Sequence, residues 1–366
     1  MNNGKLISLT VTDTCNLRCD YCYQSHDAHR SKNHMSFETA KNILLKYFSD
    51  PEGYKSIEID FFGGEPFVNK DVIVKLVEWT ISKDFQLPYI FFASTNGTLI
   101  KGKLKDWLIK HKDIFILGLS LDGTPQTHNK NRDNSYEQID LDFFLKTYPK
   151  QPARMTVSAN MINNLYNDIV HMHELGFLVD AAYDQDFKCD SKTIDTLSKQ
   201  LKKLCDYYIA NPDIEPCSLL NRPFPDLAEA KKKVKKWCGA GTNMVSIDVA
   251  GNEYPCQAFQ PNTIEDKIST VDISKIKISN SGSSLRDLDC KNCIIEPICP
   301  TCYGMNLLRD GDISSRNKEM CSIQKTTALA VSYLRGQIIA NNQIELDPPQ
   351  LLNTIKSIKL IQEVFS

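Results

Sequence analysis

No stretch of eighteen consecutive apolar residues occurs in this 366-residue chain, so the sequence offers no membrane-spanning helix. The opening residues, MNNGKLISLTVT, pass directly into a strand pattern with no apolar signal core, which argues against secretion. A net charge of −2 gives no global argument for nucleic acid or for an anionic membrane, and neither is expected as a partner. Internal repeats and low-complexity segments are also missing, so neither a solenoid nor a compositionally disordered chain is expected. Apolar residues at 42% and charged residues at 24% describe an ordinary globular protein, long enough for one large or two modest domains. What is plentiful is cysteine. Thirteen of them in a long chain without a secretory signal point to a reducing cytoplasm rather than to a disulfide scaffold.

Cys15, Cys19 and Cys22, in TDTCNLRCDYCYQ, are spaced to close three thiolates around one compact inorganic centre. A cubane iron–sulfur cluster normally takes four cysteines. Three in one tight loop, with no fourth nearby, leave one iron with an open coordination position, which is a catalytic design. The competing reading is a zinc knot that recruits His26 and His29. Structural zinc wants a closed set of four ligands, and these histidines read as loop polars.

With Tyr21 ahead of the third cysteine, CxxxCxYC resembles the signature of radical S-adenosylmethionine enzymes. The resemblance implies a [4Fe–4S] cluster on Cys15, Cys19 and Cys22 whose open iron chelates the amino and carboxylate groups of S-adenosylmethionine. One electron then cleaves the sulfonium to give a 5′-deoxyadenosyl radical. The difficult chemistry belongs to cluster and cofactor, and the protein places a C–H bond beside them. Clusters of this kind also imply anaerobic handling.

Short β-rich runs alternate with amphipathic helical stretches over the first 180 or so residues, the pattern of βα units on a parallel sheet. Strands are expected at 6–12, 56–64, 89–97, 114–123, 153–161 and 177–184. Helices are expected at 36–48, with Ser36 as N-cap, and at 70–82, 103–111, 136–148 and 168–176. Six units fit an α/β fold of the partial, open (β/α)6 TIM-like type, which the resemblance also implies, with the chemistry at the carboxyl ends of the strands. A helix at 193–210 leads to a proline-punctuated linker, and 237–321 has little helical periodicity. Helices at 323–340 and beyond Pro349 close the chain. The expected division is a radical S-adenosylmethionine core over 1–225, an auxiliary-cluster domain over 226–330 and a helical segment over 331–366.

GGEP (63–66) ends the second strand, where Gly63 and Gly64 permit close backbone approach and Glu65 offers a carboxylate. By resemblance this is the element that receives the cofactor's amino group. STNG (94–97) and SLDG (120–123) end the next two strands, and by resemblance Ser94, Asn96, Ser120 and Asp122 line the same pocket; ordinary capping and turn chemistry would also explain them. Arg132 is either a partner for the cofactor carboxylate or a solvated loop cation.

A second set, Cys238, Cys256, Cys290, Cys293, Cys299, Cys302 and Cys321, resembles the seven-cysteine SPASM extension of peptide-modifying radical enzymes. One departure is that two residues, not the usual three, separate Cys299 from Cys302. The resemblance implies two auxiliary [4Fe–4S] clusters: an outer one on Cys290, Cys293, Cys299 and Cys321, and an inner one on Cys238, Cys256 and Cys302. The inner fourth ligand is an open site, a non-cysteine side chain, or one of Cys189, Cys205 and Cys217, which read as buried packing. Paired zinc ribbons are the rival reading of the seven. The basic run AKKKVKKW (230–237) is either a solvated face or a dock for an acidic peptide or a flavodoxin-like donor.

The resemblance as a whole implies a maturase that abstracts hydrogen from a ribosomally made precursor peptide and installs a carbon–carbon, ether or thioether cross-link. Its partners would be that peptide, a flavodoxin- or ferredoxin-like electron donor and a separate leader-recognition protein. The alternatives are peptide epimerisation, a pure electron carrier, and a sulfatase-maturating enzyme that makes formylglycine. The last typically carries an aspartate directly after the SPASM PC pair. Here Gln257 follows Pro255 and Cys256, and an amide cannot accept the departing proton.

Overall fold

The computed structural model describes residues 4–24, 32–185, 187, 188, 190–222, 224–230, 236–264, 273, 276, 278 and 285–365. His26, His29, Cys189 and positions 231–235 of the basic run lie outside the described residues. The chain divides into two compact units, each built from three segments: Met1–Leu121, His128–Pro152 and Cys238–Ser279 form the first, and Asp122–Thr127, Ala153–Trp237 and Asn280–Ser366 the second.

In the first unit β1 (Gly4–Thr12), β2 (Ser56–Gly63), β3 (Tyr89–Thr95) and β4 (Phe115–Leu119) lie side by side, all parallel. Helices α1 (Phe37–Ser49), α2 (Lys70–Ile81) and α3 (Lys103–Lys110) connect them. Successive strand residues point to opposite faces, and one face of these strands is apolar: β1 alternates Ile7, Leu9 and Val11 with Ser8, Thr10 and Thr12, and β2 alternates Ile57, Ile59 and Phe61 with Glu58 and Asp60. Accordingly Ile7, Leu9, Ile59, Phe61, Phe91 and Phe115 are all fully buried. Phe61, Phe91 and Phe115 come from three neighbouring strands and stack with centroids 5.7–6.0 Å apart. Burial of each ring contributes about 2–3 kcal/mol. Ser36 caps α1 as expected, accepting from the Thr39 N–H at 3.0 Å. Helix α4 (Pro125–Asn131) was not expected, and α5 (Leu141–Thr147) starts later than its apolar pattern because Asp140 caps it through the Phe143 N–H.

The same sheet continues past β1. Strand β7 (Met244–Ile247) pairs parallel with β1, and β8 (Glu253–Tyr254) pairs antiparallel with β7, giving the order β4-β3-β2-β1-β7-β8. The sequence offered no strand here, because runs of four and two residues carry no readable alternation.

In the second unit β5 (Ala153–Val157) and β6 (Val179–Tyr183) form their own parallel pair. The strand expected over 153–161 stops at Val157 and turns into a 3₁₀ segment over Ala159–Asn164. Around the pair lie α6 (Leu165–Glu174), α7 (Ser191–Ala210), the short α8 (Leu227–Ala230), α10 (Tyr303–Asp310), α11 (Met320–Ala340) and α12 (Pro348–Phe365). One more short helix, α9 (Pro261–Ile264), belongs to the first unit. Helix α7 buries Leu197, Leu201, Leu204, Cys205 and Tyr208, one stripe at helical spacing. All six expected βα strands are therefore present, four in one sheet and two in another. Helices α9 and α10 are exceptions to the low helical content expected of 237–321; at four and eight residues their periodicity is too brief to read.

Candidate active site and cysteine cavity

The cysteine loop leaves the carboxyl end of β1 and is fastened on three sides. Thr12 and Thr14 carbonyls accept from the Gly64 and Glu65 N–H groups at 3.1 and 3.0 Å, so the loop and the GGE turn lie backbone against backbone. That approach explains the glycines. A Cβ on Gly63, whose φ is +145°, would sit 2.0 Å from the Thr12 carbonyl oxygen, and one on Gly64 would sit 2.5 Å from that of Thr14. On the second side, Asn16 donates to the Thr98 hydroxyl at 2.9 Å and accepts from the Asn96 amide at 3.0 Å. On the third, the Arg18 N–H donates to the Asp133 carboxylate at 3.2 Å and the Asp20 N–H to the Asn131 carbonyl at 3.0 Å. Asn16, Thr98, Asn131 and Asp133 were not among the expected site residues; Thr98 directly follows STNG, and that adjacency was the available signal.

All three thiols of the loop are half-buried. Burial pushes the Cys15 thiol up to about 12; the Leu17 N–H, 3.4 Å from its sulfur, opposes this, and Glu65, Cys19 and Cys22 add to it. Burial likewise raises Cys22, opposed by the Gln24 N–H and the Arg132 cation. Cys15 and Cys22, kept protonated by burial, need a cationic centre to ionise them, and an iron–sulfur cluster supplies one. Among the described residues no three His, Cys, Asp or Glu side chains converge tightly enough to share one ion. In a cubane each thiolate takes its own iron, so the three need only face a common centre.

Glu65 is 1% exposed, and its carboxylate accepts from the Thr95 hydroxyl at 2.8 Å, the Asn96 N–H at 2.8 Å and the Phe67 N–H at 3.3 Å. Burial pushes its pKa up to about 7 against those donors. Arg132 is 7% exposed with its guanidinium 5.3 Å from the centre of the Tyr21 ring, so it is not a solvated loop cation. Asn96 serves the loop: its side-chain oxygen accepts from the Thr98 N–H and hydroxyl at 3.0 and 2.8 Å. Ser94 and Ser120 are half-buried, and the Ser120 N–H extends the ladder to the Thr95 carbonyl at 2.9 Å. In the second unit Asp122 is fully buried and accepts from the Thr156 N–H at 3.2 Å.

The second unit also holds a cavity of about 550 Å³. Cys290, Cys293, Cys299, Cys302 and Cys321 all line it. Cys290 is pushed up to about 11 by burial, and burial also raises Cys299, which feels the charges of Cys293 and Cys321. Cations surround these thiols. Arg316 donates to the Cys299 carbonyl at 2.8 Å, Lys318 pairs with Asp287 at 2.8 Å, and Arg222 donates to Gln324 at 2.8 Å. The wall is stiffened by a two-point pair between Arg286 and the buried Glu296. Four thiolates on one cubane carry net negative charge, so a cationic wall suits that occupant. Cys238 and Cys256 lie in the first unit, their segments joined by the Gly241 N–H to the Pro255 carbonyl at 2.9 Å. Cys205 and Cys217 are fully buried in the second unit. Gln257 donates its side-chain amide to the Ser8 hydroxyl at 2.8 Å.

Comparisons with known proteins bear on the same residues. The chain is 25% identical over 359 residues to a radical SAM cyclopropyl synthase, TigE, of Paramaledivibacter caminithermalis, covering 88% of this chain and 72% of that protein. It is 25% identical over 337 residues to a cysteine-type anaerobic sulfatase-maturating enzyme of Clostridium novyi, covering 82% and 87%. The solved structure of native anSMEcpe with bound AdoMet and Cp18Cys peptide has a TM-score of 0.68 at 20% identity over 93% of this chain and 99% of that one, a likeness of fold. No helix among the described residues is long and apolar enough to cross a membrane. The radical SAM superfamily model matches residues 9–140, which contain the cysteine loop and the GGE turn: this part of the chain is a radical SAM domain, of the family that binds S-adenosylmethionine and a [4Fe–4S] cluster.

Proposed function

We propose that this protein is a cytoplasmic radical S-adenosylmethionine oxidoreductase that matures a ribosomally made precursor peptide by installing an oxidative cross-link. The observation that carries the reading is the joint presence of the three-cysteine loop locked to the GGE turn and of a cavity lined by five thiols. When bound, the N-terminal cluster and S-adenosylmethionine supply a 5′-deoxyadenosyl radical that abstracts hydrogen from the peptide. Cys15, Cys19 and Cys22 hold that cluster. Glu65 receives the cofactor's amino group, Gly63 and Gly64 keep the approach open, and Tyr21 and Arg132 flank the loop, with Arg132 directed to the cofactor carboxylate. Ser94, Ser120 and Asp122 contribute polar groups, while Asn96 acts through the loop it fastens.

Cys290, Cys293, Cys299 and Cys321 are proposed ligands of an outer auxiliary cluster, and Cys238, Cys256 and Cys302 of an inner one. The boundaries 1–225, 226–330 and 331–366 are kept as the functional division, with a flavodoxin- or ferredoxin-like donor and a separate leader-recognition protein as partners. The test is anaerobic incubation of reduced protein, S-adenosylmethionine and candidate peptides. A peptide lighter by two hydrogens with formation of 5′-deoxyadenosine supports the reading. Unchanged mass with α-deuterium uptake indicates epimerisation, and no 5′-deoxyadenosine with all clusters present overturns radical chemistry altogether. Formylglycine formation is favoured by the relative from Clostridium novyi. Against it, the residue after Cys256 is a glutamine bonded to Ser8, not a proton acceptor.

A further inference from the structure

The segment after Cys256 is fastened to β1 by side chains rather than by backbone pairing. Gln257 donates to the Ser8 hydroxyl at 2.8 Å. Gln260 accepts from the Thr10 hydroxyl at 2.8 Å and donates to the Ser246 hydroxyl at 2.8 Å. Asn262 donates to the Asp13 carboxylate at 3.1 Å. The rungs climb together: as the segment advances from 257 to 262, its partners advance from 8 to 13. Ser8 and Ser246 are register partners on adjacent parallel strands, so Gln260 straddles the seam between β1 and β7.

Gln260 is 1% exposed, and Ser8, Thr10 and Ser246 are fully buried. Burying a primary amide is costly unless both its ends are bonded, and an apolar side chain of the same size would fill the space without that requirement. Here both ends are bonded, each to a different strand. Cys256 lies at one end of the ladder, and Asp13, two residues before Cys15, at the other. At about 3.3 Å per residue β1 rises on the order of 13 Å from Ser8 to its last residue, Thr12, one position short of Asp13.

We infer that Gln257, Gln260 and Asn262 are positioning residues that hold Cys256, and with it the inner auxiliary cluster, at a set height along β1 from the catalytic cysteine loop. The inference rests on the proposed reading of Cys256 as a ligand of that cluster. The ladder thereby fixes the spacing of two redox centres without touching either cofactor.

Gln260→Met keeps the volume and removes both of that residue's rungs. In the anaerobically reconstituted, dithionite-reduced full-length protein, iron content and peptide-free S-adenosylmethionine cleavage are expected to stay within about twofold of wild type. The microwave power that half-saturates the N-terminal cluster's EPR signal should shift at least about threefold, because spin coupling between centres falls steeply with distance. Full iron content with unaltered saturation overturns the inference. Thr10→Val removes a single rung and should give a smaller shift in the same direction; it decides the matter if Gln260→Met does not fold, and an unshifted signal there overturns the inference too. Cys256→Ala separates the two readings: if it leaves iron content and saturation unchanged, Cys256 ligates no cluster and the underlying assignment falls with the ladder.

Discussion

At Gly63 the functional group is an absent side chain. A Cβ there would meet the Thr12 carbonyl at 2.0 Å in a backbone region closed to other residues, so Gly63→Ala should lower stability by about 3 kcal/mol, read from anaerobic denaturation midpoints. Glu65 gives a pH signature. Its folded-state pKa, about 7, lies above that of a solvated carboxyl, so its contribution to stability is complete at low pH and is lost as pH rises through 7. An arriving amino group has the opposite preference, since its N–H donates best to the ionised carboxylate. Affinity for S-adenosylmethionine should therefore fall about tenfold per pH unit below 7, measured by equilibrium titration, and Glu65→Gln should flatten that dependence. The cysteines and GGEP were legible because their meaning lies in local spacing. Asn96 stood out in the sequence, but its bonds to Asn16 and Thr98 did not, because they are set by how the loops fold together.

At the scale of elements, legibility followed length and burial. The strands β1 to β4 carry an apolar residue at every second position and α1 carries its own start signal, so they read directly from the chain. Ser36→Ala removes the one side-chain acceptor at the start of α1 and should cost about 1 kcal/mol by the same denaturation measurement, with no change in iron content. Strands β7 and β8 and helix α10 escaped because none is long enough to show a period. Their identity is imposed by partners: β7 exists as a strand because β1 offers it an edge. The late end of 153–161 has a different cause, since the backbone after Val157 tightens into a 3₁₀ segment before α6.

For the whole molecule the proposed clusters can be counted. Three cubanes correspond to about twelve irons per chain. A Cys290→Ala, Cys293→Ala double variant should lose about four of them while retaining the N-terminal cluster and peptide-free formation of 5′-deoxyadenosine, checked by iron analysis and chromatography. A fragment ending at residue 225 would lack β7 and leave one edge of β1 unpaired, so its soluble yield should drop severalfold relative to the full chain. The same pairing orders events during synthesis. Leu6–Leu9 must wait for Met244–Ile247 to leave the ribosome, an interval on the order of ten seconds or more at ordinary elongation rates. Through that interval the nascent catalytic sheet ends at β1, whose outer edge is unpaired. The segment between Cys238 and Cys256, translated late, is what finally covers that edge.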